Sequence, residues 1–107
     1  MPYTPDYTSN EPTRAEVSEM PGLVLLEFGA PWCPHCQALQ PALQKLVGPG
    51  LRHLKIEDGK GRPLGRSFAV KLWPNLVFLV DGQVRSQLAR PDQASLEAAF
   101  QSFNSWL

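Results

Sequence analysis

The sequence holds only two cysteines and two histidines among 107 residues, and it lacks any long apolar run. Two cysteines cannot build the multi-bridge framework of small secreted scaffolds. None is needed, since 43% hydrophobic residues suffice for a packed core. A structural zinc site wants four ligands, and beyond the cysteine pair only His35 and His53 are on hand. Covalent haem attachment needs a histidine directly after the second cysteine, where Gln37 stands. No metal or organic cofactor is expected. The longest apolar runs, Leu23 to Leu26 and Leu76 to Val80, are too short to span a bilayer. Lysine plus arginine balance aspartate plus glutamate at ten each, without a basic stripe, so neither nucleic acid nor a membrane is an expected partner. Met1 to Asp6 lacks the basic and apolar regions of a secretory signal, which makes a cytoplasmic protein the expectation. Internal repeats, low-complexity tracts and linkers are also missing. The length suits a single domain over 1–107, with an extended arm over 1–12.

What is present is organised around Cys33 and Cys36. They sit three apart, after an apolar run and at the head of a helical pattern. Residues i and i+3 share a helix face. Their Cα atoms then lie roughly 5 Å apart, inside the window of about 4.4–6.8 Å that a disulfide tolerates. Dithiol and disulfide can both form with little backbone movement, which is the geometry of a reversible redox switch. A static bridge between such near neighbours closes too small a loop to add much stability.

Residues 1–12 carry three prolines and read as an arm with one edge strand around Tyr3 to Tyr7. Thr13-Arg14-Ala15-Glu16 fits a capping box and predicts a short helix over about 14–19, ended by Pro21-Gly22. Leu23 to Phe28 is apolar on both faces except at Glu27, as in a strand covered on both sides. A helix starts near Cys33 or Pro34, with Leu39, Ala42, Leu43, Leu46 and Val47 as its apolar stripe and Pro41 as an expected kink. Leu51 to Ile56 alternates like a strand, Asp58 to Gly61 is a turn, and Pro63 to Ala69 reads as a short helix. Trp73-Pro74-Asn75 leads into a strand over Leu76 to Val80. Asp81-Gly82 signals a hairpin, and Val84 to Ala89 is its return strand. Asp92 caps a last helix with Leu96, Ala99, Phe100 and Phe103 inward. The order predicts an α/β fold: a mixed central sheet of four to five strands, flanked by helices on both faces.

A thiol attacks as its thiolate, which a helix N-terminus favours. Cys33, at the first turn and more exposed, is therefore the expected nucleophile. Cys36, one turn deeper, is expected to resolve the mixed disulfide. Between them Pro34 removes a backbone donor, and His35 adds one that can carry charge. A histidine there should stabilise the Cys33 thiolate, hence the reduced form, and so make the disulfide more oxidising.

Phe28-Gly29-Ala30-Pro31-Trp32-Cys33-Pro34-His35-Cys36, Pro41 five residues on, Trp73-Pro74-Asn75 entering a strand, and Asp81-Gly82 together resemble the thioredoxin family, from about Pro21 to Leu107. The resemblance implies that fold and protein thiol–disulfide exchange, with Cys33 attacking and Cys36 resolving. It also implies protein substrates with disulfides or thiols, and a thioredoxin-reductase-type electron donor. The protein is expected to be a monomer. Pro74 would be the family's cis-proline, and the Trp73 backbone would bind an extended substrate peptide; Trp73 reads equally as a core aromatic. Trp32 covers the site or simply packs. Glu27 stands where the family usually has a buried aspartate. It is either a buried acid–base group acting on Cys36 through water, or an edge residue facing solvent, with its apolar flanks favouring the first. His53 reads as a packed or surface histidine, and either it or Lys55 falls where the family often has a lysine. Three departures stand out. Pro34-His35 resembles the dipeptide of periplasmic thiol oxidases, Gly29 replaces a large residue, and Arg90 falls near a glycine of the substrate groove. The rival reading is an adaptor or chaperone with a redox-sensing pair.

Overall fold

The computed structural model describes residues 3–106, so the first two residues of the arm and the last residue of the domain lie outside the described residues. Among the described residues, four helices and four strands run in the order α1 (Arg14–Ser18), β1 (Leu23–Gly29), α2 (Pro34–Leu46), β2 (Leu51–Glu57), α3 (Pro63–Ser67), β3 (Asn75–Val80), β4 (Gln83–Ala89) and α4 (Gln93–Asn104). The sheet order is β2-β1-β3-β4. β1 pairs in parallel with β2, and the β1–β3 and β3–β4 pairs are antiparallel. Among the described residues, no helix is long and apolar enough to cross a membrane.

Local chemistry sets most boundaries. The Thr13 hydroxyl accepts the Glu16 N–H while the Glu16 carboxylate accepts the Thr13 N–H, completing the capping box of α1. Asp81 and Gly82 both hold positive φ, as a two-residue hairpin between β3 and β4 requires. The Asp92 carboxylate caps α4 through the Ser95 N–H at 2.7 Å. Pro41 lies inside α2 without ending it.

The period-two alternation of β1 divides the core. Leu23 and Leu25 face α2 and α4, packing with Leu39, Leu43, Phe78 and Phe100. Val24, Leu26 and Phe28 face the other way, onto Val17 of α1 and Leu64 and Phe68 beside α3. Glu27 follows the first phase and so points under α2. In-register parallel pairing sets His53 beside Leu25 and Lys55 beside Glu27. Both therefore share the α2 face.

The arm forms no strand over Tyr3 to Tyr7. Among the described residues its one ladder contact is a bridge at Thr8, whose N–H donates to the Lys55 carbonyl at 2.8 Å and whose carbonyl accepts the Glu57 N–H at 3.0 Å. The reason is local. Pro5 has no N–H to give a ladder. The Pro5 carbonyl instead accepts from the Lys55 ammonium, and the Thr4 N–H donates to the His53 ring.

Candidate active site

Cys33 is the N-cap of α2, with extended backbone, and its thiol sulfur accepts the Cys36 N–H at 3.2 Å. This follows from Pro34 at the first helical position: the helix starts there, and the residue before it supplies the cap. Both cysteines are free thiols and both are buried, Cys33 at 5% exposure and Cys36 at 1%. Exposure therefore separates them little. What separates them is the N–H aimed at the Cys33 sulfur and the setting of Cys36, where burial pushes the thiol up to about 11.

That shift has a sign in stability. A thiol raised on folding from its ordinary 9.0 stabilises the folded reduced chain below pH 9, and this is lost as pH rises through about 11. The disulfide has no such proton. The reduced form is therefore expected to lose stability relative to the oxidised form between about pH 9 and 11. Denaturant unfolding of both forms across that range checks this, and a gap that does not change with pH would sink it.

The rim is aromatic. Trp32 is 70% exposed, which rules out plain packing, and its ring meets Trp73 edge-on at 5.5 Å between centroids. Trp73 packs on the cluster of Ala30, Cys33 and Cys36. Its indole N–H donates to Asp58 Oδ2 at 2.8 Å. The Trp73–Pro74 peptide bond is cis. The Trp73 carbonyl already accepts Arg90 Nε at 2.8 Å, leaving one lone pair for a further donor. Pro34 and His35 are exposed, and His35 joins Pro74 and Arg90 in lining a cleft of about 210 Å³. Among the described residues, no group of three or more His, Cys, Asp or Glu side chains is placed to hold a metal ion.

Beneath α2 lies a polar network. Glu27 is fully buried, which excludes the solvent-facing position. Its Oε1 pairs with His53 Nε2 at 2.9 Å, and its Oε2 accepts Gln40 Nε2 at 2.8 Å. Neither bond goes to a cysteine sulfur. Gln40 Nε2 also donates to the Cys36 carbonyl at 2.8 Å, tying the network to the resolving position. Each polarity is fixed from outside. The Thr4 N–H can only donate, so His53 Nδ1 accepts and Nε2 carries the hydrogen. The Lys55 ammonium can only donate, so Gln40 presents oxygen to it and nitrogen to Glu27. His53 is thus a direct partner of Glu27 rather than a packed or surface residue, and Lys55 acts one step away. Gln40, Asp58, Tyr3 and Tyr7 escaped the reading of the sequence. Only Gln40 left a signal there, one helical turn beyond Cys36.

The family description "Thioredoxin" matches residues 6–102. The chain belongs to the thioredoxin family. Thioredoxin 2 from Pseudomonas aeruginosa, in its reduced form, superposes with a TM-score of 0.85 at 48% identity, over 96% of this chain and 98% of that one. The thioredoxin of Bacillus subtilis is 37% identical over 73 residues, 65% of this chain and 68% of that protein. Protein disulfide isomerase-like 1-4 of Arabidopsis thaliana is 39% identical over 72 residues, 64% of this chain but 12% of that much longer protein. The fold is the thioredoxin fold, with a four-stranded mixed sheet between helices. Thioredoxin-family membership and the Cys33–Cys36 pair together support a thiol–disulfide oxidoreductase.

Proposed function

We propose that this protein exchanges its Cys33–Cys36 dithiol and disulfide with the thiols and disulfides of substrate proteins. The observation that carries the reading is the Cys33 sulfur at the α2 N-cap, taking the Cys36 N–H beside an exposed tryptophan and the Pro74 loop. The Cys33 thiolate attacks a substrate disulfide and expels one substrate sulfur. Cys36 then attacks Cys33 and frees the other. Trp32 and Trp73 receive the substrate, with the Trp73 backbone and Pro74 holding it as an added strand. Glu27 acts on Cys36 as the buried acid–base group, through the network and water rather than by touching sulfur. A thioredoxin-reductase-type donor restores the dithiol, and the same reading takes the protein as a cytoplasmic monomer.

The test is insulin reduction with a thiol regenerant. Catalytic turnover supports the reading, and a reducible Cys33–Cys36 disulfide without turnover overturns it. His35, exposed beside the pair, tunes the direction. His35→Gly is expected to lower the reduction potential by about 30 mV, tenfold in the exchange equilibrium. Equilibration with glutathione measures it, and an unchanged or higher potential in the variant would remove His35 from the account.

A further inference from the structure

Tyr7 plays no part in the exchange as described, yet its hydroxyl oxygen is buried and makes no hydrogen bond of good geometry among the described residues. Buried hydroxyls without partners are uncommon. Its neighbour is the resolving cysteine. A Cβ placed on Gly29 would stand 2.6 Å from Cys36 Sγ and 2.8 Å from the Tyr7 hydroxyl oxygen. The two atoms thus converge on one gap at the end of β1, and any side chain at position 29 would fill it. Gly29 has no positive φ, so it serves here by leaving space rather than by conformational freedom. The ring of Tyr7 is also held. Lys55 Nζ lies 4.7 Å from its centroid, and the Thr8 bridge pins the next residue to β2.

A neutral thiol is a weak acceptor, whereas a thiolate is a strong one. The stranded hydroxyl therefore gains its partner when Cys36 ionises, which is the event that resolution requires. We infer that Tyr7 is a further catalytic residue: its hydroxyl donates a hydrogen bond to the Cys36 thiolate as that sulfur attacks the mixed disulfide, through the opening left by Gly29. This rests on the exchange reading above. Cys36 gives its proton to water in a cleft of about 390 Å³ lined by Tyr7, Cys36, Gln40 and Lys55. The thiolate electron pair forms the Cys33–Cys36 bond. The bond between Cys33 and the substrate sulfur breaks, and its pair leaves on that sulfur, which takes a proton from water. Cys36 is oxidised, the substrate sulfur is reduced, and Tyr7 keeps its proton throughout. Burial, with Glu27 and Cys36 nearby, pushes the Tyr7 phenol well up, so it remains a donor. The titratable groups around the pair are Glu27 on β1, Lys55 and Glu57 on β2, Cys33 at the head of α2 and Asp6 on the arm.

Tyr7→Phe in the full chain keeps the ring and removes the donor. Single-turnover reaction with a peptide disulfide separates the two steps. Formation of the mixed disulfide, read in a Cys36→Ser background, is expected to be unchanged by Tyr7→Phe. Release of the second thiol in the Cys36-containing chain is expected to slow about tenfold or more. The ultraviolet thiolate titration of Cys36 is expected to move up by about one pH unit. Site-specific 3-fluorotyrosine at position 7, a stronger donor, moves the same titration down, which a packing role would not do. It also supplies the answer if Tyr7→Phe fails to fold. An unchanged Cys36 titration in these variants overturns the inference, as does a loss confined to the first step. If the wild type reduces no peptide disulfide, the exchange reading fails by itself, and the titrations still decide for or against the Tyr7 contact.

Discussion

Cys33→Ser is expected to lower insulin reduction by at least about a thousandfold, to the uncatalysed background. The helix start, the Cys36 N–H and the aromatic rim all survive this change, so what is lost is the nucleophile itself. A serine hydroxyl at the same N-cap does not ionise near neutral pH and forms no bond to a substrate sulfur. Cys36→Ser should behave differently. Cys33 still attacks, but nothing resolves the product, so a stoichiometric mixed disulfide accumulates. Mass spectrometry after exposure to a peptide disulfide distinguishes the two variants. Adduct formation by Cys33→Ser at Cys36, with none by Cys36→Ser, would reverse the assigned roles. The asymmetry is expected because the Cys33 sulfur takes the Cys36 N–H at the helix start, at 3.2 Å, while burial pushes the Cys36 thiol up to about 11.

Glu27→Ala carries the largest expected effect on stability, a loss of about 3 kcal/mol. The substitution leaves the buried His53 Nε2–H without its acceptor and takes one of two acceptors from the Gln40 amide. For a chain of this size the melting temperature falls by roughly 10–20 °C. Glu27→Gln separates shape from polarity. The amide fits the space, but its NH2 group must face either His53 Nε2–H or Gln40 Nε2. Neither neighbour can turn, because the Thr4 N–H fixes one and Lys55 fixes the other. The amide is therefore expected to cost about 1–2 kcal/mol. Thermal unfolding of both variants measures these losses, and a neutral Glu27→Gln would refute the fixed-polarity network. Both variants should also slow thiol exchange over pH 6–9, since the network holds the Cys36 carbonyl through Gln40. An unchanged rate profile in a folded Glu27 variant would remove Glu27 from the chemistry and leave it a structural role.

The exposed periphery offers a contrast. Arg90 adopts a φ of 48° and turns its guanidinium onto the Trp73 carbonyl. It thereby sets a cation on the wall of the cleft that His35 and Pro74 line. That arrangement follows from the turn after β4 and from no property of arginine alone.

Elements governed by neighbours in the chain were legible in advance. The capping box at Thr13, the Asp81-Gly82 hairpin and the apolar stripe of α4 each depend on residues one to four positions apart, and from α1 onward each boundary falls within one or two residues of expectation. The cysteine spacing was equally local, which is why the pair and its helix start could be located from the sequence. Glu27 was legible as an anomaly, a charge in an apolar strand, but its partners were not. His53 meets it because parallel pairing of β1 with β2 sets the register, Gln40 because α2 lies over that face, and Lys55, Tyr3 and Thr4 reach it one step away through these two. Tyr7 was assigned to an edge strand for the same reason, since a period-two pattern says nothing about the neighbour a proline-broken arm will find. The sequence alone determined the helices and strands from Arg14 onward, the redox pair and the family, because these rest on short-range sterics, hydrogen bonding and residue order. The tertiary structure alone decided which polar groups surround the resolving cysteine. The contacts of Glu27 and His53 there join residues 13 to 49 positions apart, where no local propensity reaches.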